Sequence, residues 1–137
     1  MSDEMSFLQA ALDEAQSPSW SQRARAGREL AVFADIPAAA DALFGLLLDV
    51  DDTAVTRQTS EALARVGTSG AMRLIAHAVS RAEESHHDWM EIGVHDALGG
   101  PDGVAGIAAV CGQLARDPEA TVRWGAAVIL AWTDDST

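Results

Sequence analysis

A chain of 137 residues with 48% hydrophobic and 22% charged residues can build one ordinary core and is too short for two, so it reads as a single globular domain over 1–137. Nine basic against twenty-one acidic residues leave a net charge of −12, which repels nucleic-acid backbones and anionic membrane surfaces. The chain has no lysine and no tyrosine, which removes Schiff-base, P-loop and tyrosine-acid chemistry, and Cys111 alone makes neither an internal disulfide nor a cysteine zinc site.

Alternation at two-residue spacing is nowhere sustained, alanine is abundant throughout, and apolar residues recur at helical spacing, which predicts an all-α chain. A capping helix (1–17) covers about Asp3 to Ala15 with Met5, Leu8, Leu12 and Ala15 inward, and Ser17, Pro18 and Ser19 break it. In the first hairpin (19–50) one helix carries Trp20, Ala24, Gly27, Leu30 and Ala31 on its inner side. The second opens at Pro37 and buries Ala40, Leu43, Phe44 and Leu47 before the acidic run Asp49, Val50, Asp51, Asp52 stops it. The second hairpin (52–84) is capped by Asp52 or Thr53, turns at Gly67, and restarts at Thr68 or Ser69. Its inward residues are Val55, Thr59, Ala62, Leu63 and Val66, then Ala71, Leu74, Ile75, Ala78 and Val79. The third (86–116) joins a helix from His87 to Leu98 to one from Asp102 to Ala115 across Gly99, Gly100 and Pro101, aligning Val104, Ile107, Ala108, Cys111 and Leu114. A terminal segment (117–137) opens at Asp117, Pro118 and Glu119 and holds one helix, Ala120 to Trp132.

The first helices of the units superpose on Leu30, Leu63, Leu98 and Leu130, about 33 residues apart, with Ala26, Thr59, Val94 and Ala126 four positions earlier. Eight positions before the leucines stand Gln22, Val55, Met90 and Val122. The run Asp117, Pro118, Glu119, Ala120, Thr121, Val122, Arg123, followed by Ala126, Ala127 and Leu130, resembles the opening of a HEAT-like repeat of the kind shared by armadillo-type and bilin-lyase-type proteins. Asp51 to Arg57 with Ala62, Leu63, Val66 and Gly67 looks like a second copy. The resemblance covers about 19–137 and fades around Met90, where Glu91 stands in place of the arginine. It implies an α-α superhelix, a HEAT-like solenoid of about four hairpin units with the last truncated, in which an arginine of one repeat pairs with an acid of its neighbour and the second helices form a concave binding face. On that face the outward polar positions are Asp41, Arg73, His77, Arg81, Gln113 and Arg116.

Other candidates are weighed against simpler roles. On a helix, His87, Glu91 and His95 share one stripe, so a neighbouring pair of them has the spacing to clasp a metal. Eight residues span about 12 Å, too far for both histidines to reach one ion. Cys111 lies on an apolar stripe, where burial keeps a thiol inert. Trp124, Val128 and Trp132 form a second apolar stripe on the last helix, opposite its core side, and are expected to be covered by a second copy, giving a homodimer, or by a partner, unless the helix turns inward and packs both tryptophans against the third hairpin.

No catalytic motif is present and no cofactor is called for. The sequence therefore predicts a non-enzymatic protein-interaction module, a small acidic HEAT-like adaptor of the immunity or antitoxin type whose partner is a basic protein. A metal-binding enzyme or lyase accessory using His87, Glu91 and His95 is the alternative. A nucleic-acid-binding HEAT-like protein is a second, opposed by the charge. The acidic start of the chain and the lack of an apolar run near 20 residues predict a cytoplasmic protein with no membrane association.

Overall fold

The computed structural model describes residues 2–134. These form eight helices and no strand: α1 (Ser2–Glu14), α2 (Trp20–Leu30) running into a 3₁₀ turn (Ala31–Phe33), α3 (Pro37–Leu47), α4 (Thr53–Val66), α5 (Ser69–Arg81), α6 (Glu84–Leu98), α7 (Pro101–Leu114) and α8 (Ala120–Asp134). The chain is all-α, as its periodicity requires. No helix of the described residues is long and apolar enough to cross a membrane.

Local chemistry sets most of the boundaries. Asp52 accepts a hydrogen bond from the Ala54 N–H (2.8 Å) and Thr68 Oγ1 one from the Ala71 N–H (3.2 Å), each satisfying an amide that a helix start leaves unpaired. Pro37 and Pro101 occupy first turns. Gly67 closes α4 at φ 68°, a left-handed conformation that side chains other than hydrogen tolerate poorly. The helix expected from His87 begins earlier, at Glu84, with Glu83 at its N-cap position.

In one layer α4 packs against α2 on one side and α6 on the other, and α1 covers α2 and α3. In the second layer α5 packs against α3, and α8 packs on both α5 and α7. The core runs through both layers and includes Leu30, Leu43, Leu47, Val55, Leu63, Met72, Ile75, Met90, Val94, Val122 and Ile129, all fully buried. Arg57 Nη1 lies 3.3 Å from Asp96 Oδ2 on α6, the inter-hairpin pair expected of the repeat arginine.

Three sequence expectations are corrected. Met5 (68% exposed) and Trp20 point outward, because each lies near a helix start where the covering neighbour does not reach. The helix equivalent to α2, α4 and α6 does not continue their row: α8 contacts α6 only slightly and lies on α5 and α7 instead. Two features place it there. Gly125 brings the α8 backbone against the Ala76 carbonyl of α5, and Arg73 on α5 pairs with Asp117 and Glu119 just before α8 begins. Finally, the run at 49–52, expected only to stop α3, also supplies half of a largely buried ion pair. Asp49 accepts a two-pronged ion pair from Arg23 (Nε to Oδ1 2.9 Å, Nη2 to Oδ2 3.2 Å), both side chains only 9% exposed, and also the Asp52 N–H at 2.8 Å. Arg23 Nη1 donates further to the Ser17 carbonyl (3.0 Å), and His86 Nε2 donates to the Asp49 carbonyl (2.6 Å). The Arg23 guanidinium thus ties the α1–α2 link to the α3–α4 link, and His86 fastens the start of α6 to the same place.

Candidate functional site

Where α3 meets α5, the segment Ala34 to Phe44 and the first half of α5 enclose a groove of about 440 Å³. Its floor is apolar, from Ala34, Ala40, Phe44 and Leu74, and its walls are charged: Asp35 and Asp41 on one side, Arg73, His77 and Glu119 on the other. Arg73 is already satisfied. Its guanidinium meets Asp117 Oδ2 at 3.3 Å and Glu119 Oε1 at 2.9 Å. The His77 and Phe44 rings are inclined at 62° with centroids 5.0 Å apart, and His77 Nδ1 lies 3.4 Å from Thr121 Oγ1. Asp35 and Asp41 have no ion-pair partner among the described residues, and the Asp35 carboxylate rests against the start of α5 at Gly70.

Asp117 organises one wall. The Glu119 N–H that it accepts (2.9 Å) and the Arg73 guanidinium hold its carboxyl below the usual carboxylate range. A depressed native value contributes stability that is whole above the ordinary aspartate value near pH 4 and is lost as pH falls through the native value. We therefore expect the melting temperature of Asp117→Asn to lie below wild type above about pH 4, with the gap closing as the pH is lowered further. A gap that does not change with pH would show that the carboxylate charge is not what matters there.

Of the expected concave face, the groove gathers Asp41, Arg73 and His77. Arg81, Gln113 and Arg116 are exposed and do not line it. The sequence reading passed over Asp35, Phe44 and Glu119. Phe44 was assigned wholly to the core, and Glu119 was read only as part of the opening of the terminal segment.

The histidine stripe also rearranges. His95 Nε2 donates to the Trp132 carbonyl (3.1 Å) and is tied to α8. The grouping that remains is His87, Asp88 and Glu91, whose donor atoms lie within 4.8 Å of one another on α6. All three lie on one helix, so an ion there would be held from one side only.

The proposed interface stripe on α8 splits. Trp124 is 55% exposed and Val128 half-buried, while Trp132 is only 4% exposed, its ring 5.4 Å from that of His87. The last turn of α8 is drawn against α6, so the three residues do not form a continuous outer face for a second copy. Cys111 is fully buried, and burial pushes its thiol up to about 11, which leaves it protonated and unreactive at neutral pH. A second groove, of about 610 Å³ and more apolar, lies at the α6–α7 turn among His95, Leu98, Gly99, Pro101 and Val104.

No protein-family model matches the sequence, and comparison with curated proteins finds no match. Among solved structures, the chain is similar to the crystal structure of an engineered protein from the Northeast Structural Genomics Consortium, with a TM-score of 0.43 and 20% identity over 92% of this chain. The chain spans 62% of that protein's length.

Proposed function

We propose that this chain is a non-enzymatic protein-interaction module that offers an acidic surface to a basic protein, in the manner of a small adaptor or an immunity-type binder. The observation that carries the reading is how the charges are spent. Arg23, Arg25, Arg57, Arg65 and Arg73 are engaged with carboxylates of the same chain, Arg28 with Gln58, and Arg123 with the carbonyls of Asp117 and Pro118. Most of the arginines are thus paired within the chain, Arg23 alone of them buried, which leaves the excess carboxylates to set the sign of the surface. Such a surface speeds encounter with a cationic partner and discriminates against anionic ones, nucleic acid included. The row formed by α2, α4 and α6 supports a HEAT-like reading of that part of the chain, and α8 departs from it. Among the described residues, His87, Asp88 and Glu91 are what supports a metal-assisted alternative.

The lack of lysine gives a clean test. Carbodiimide joins carboxylates to amines, and this chain has no side-chain amine of its own to compete. Coupling in native extract should give a discrete one-to-one adduct through lysines of a basic protein, suppressed by high salt. Adducts spread over many proteins in proportion to their abundance would refute a specific partner.

A further inference from the structure

We infer that the groove between α3 and α5 is an arginine-recognition site, which takes a guanidinium side chain projecting from the basic partner; this rests on the function proposed above and names the place where it acts. The groove carries Asp35, Asp41 and Glu119 against a single cation, Arg73, and that cation is shared between Asp117 and Glu119. Asp35 and Asp41 therefore face the cavity with their charge uncompensated by any described residue. An anionic ligand would meet net repulsion. A neutral apolar segment would strip water from two carboxylates and return no hydrogen bond. A cation satisfies both.

The floor selects among cations. Phe44 lines the groove between the two aspartates and His77, beside Ala40 and Leu74. A guanidinium is planar, sheds water more readily than an ammonium, stacks on aromatic faces, and has five N–H donors with which to reach two carboxylates at once. A lysine ammonium is a compact, strongly hydrated point charge that gains little from the ring or the apolar floor. A volume of about 440 Å³ holds one such side chain and part of the segment that presents it.

The probe is N-acetyl-L-argininamide, titrated into the full chain and followed by amide NMR shifts, with N-acetyl-L-lysinamide in parallel. Shifts should centre on residues 34–44 and 70–77. Asp35→Asn with Asp41→Asn, an isosteric pair that leaves the chain folded by circular dichroism, should weaken binding about tenfold. Glu84→Gln with Asp102→Asn removes the same charge from exposed sites on α6 and α7 and should leave it within about twofold. The lysine analogue should bind several-fold more weakly. Shifts scattered over every exposed carboxylate, equal loss in both double variants, or no saturable shift in wild type would overturn the groove assignment. If a discrete carbodiimide adduct still forms in that case, the basic-partner reading survives without this site. If the argininamide binds as described while no adduct forms, the site stands and the partner reading fails.

Discussion

Trp132→Ala is expected to cost about 3–5 kcal/mol of unfolding free energy, the range for emptying a buried aromatic site, while Trp124→Ala changes stability by less than about 0.5 kcal/mol. Both tryptophans lie on α8 two turns apart, yet one is 4% exposed and the other 55%. Removing Trp132 takes away the ring against His87 and loosens the last turn of α8, whose Trp132 carbonyl accepts from His95. Urea unfolding followed by far-ultraviolet circular dichroism gives both numbers, and light scattering should find the wild type and Trp124→Ala in the same oligomeric state. If Trp132→Ala proves as harmless as Trp124→Ala, or if only Trp124→Ala dissociates a dimer, α8 presents its aromatic stripe outward after all.

Gly125→Val should be comparably damaging, at about 3 kcal/mol. A Cβ at this position would run into the carbonyl, carbonyl carbon and Cα of Ala76, all backbone atoms that cannot rotate aside. To make room, α8 must lift off α5, which weakens the Arg73 ion pairs as well. Gly125→Ala meets the same obstacle, offset in part by alanine's better helix propensity. Gly106 on α7 has open space around it, so Gly106→Ala should instead raise stability by about 0.5–1 kcal/mol. Thermal and urea unfolding of the three variants tests the contrast. Equal behaviour of Gly125→Ala and Gly106→Ala would mean that the α5–α8 approach is not close.

The elements were legible because their punctuation is local: Asp52, Thr68, Gly67, Pro37 and Pro101 each act within one turn of the boundary they set. The buried stripes were legible for the same reason, and Leu30, Val55, Leu63, Ile75, Met90 and Val94 lie where helical spacing placed them. The seat of α8 was not. Val122, Ala126 and Leu130 repeat the spacing of Val55, Thr59 and Leu63, so periodicity alone gave α8 the role of another row helix. What seats it is a glycine facing a backbone about 50 residues away and an ion pair between Arg73 and Asp117, 44 residues apart. Neither leaves a periodic trace. The candidate site divides along the same line. Asp41, Arg73 and His77 were found as polar positions opposite a core stripe and meet in the groove, whereas Arg81, Gln113 and Arg116, assigned to the same face, lie outside it. Arg23 shows a related limit, since nothing in its own helix reveals that its carboxylate stands 26 residues further on.

The seat of α8 also bears on how the chain is made. Synthesis runs from the N-terminus at about 5–20 residues per second, so α1 to α7 are produced before the helix that covers α5 and α7. Until residues 120–134 exist, Ile75, Ala76 and Val79 lack the α8 side of their packing. The row of α2, α4 and α6 is held by pairs already present, such as Arg23 with Asp49 and Arg57 with Asp96, and can form first. The face of α5 against which Gly125 seats α8 is therefore without that cover until the last helix has been made.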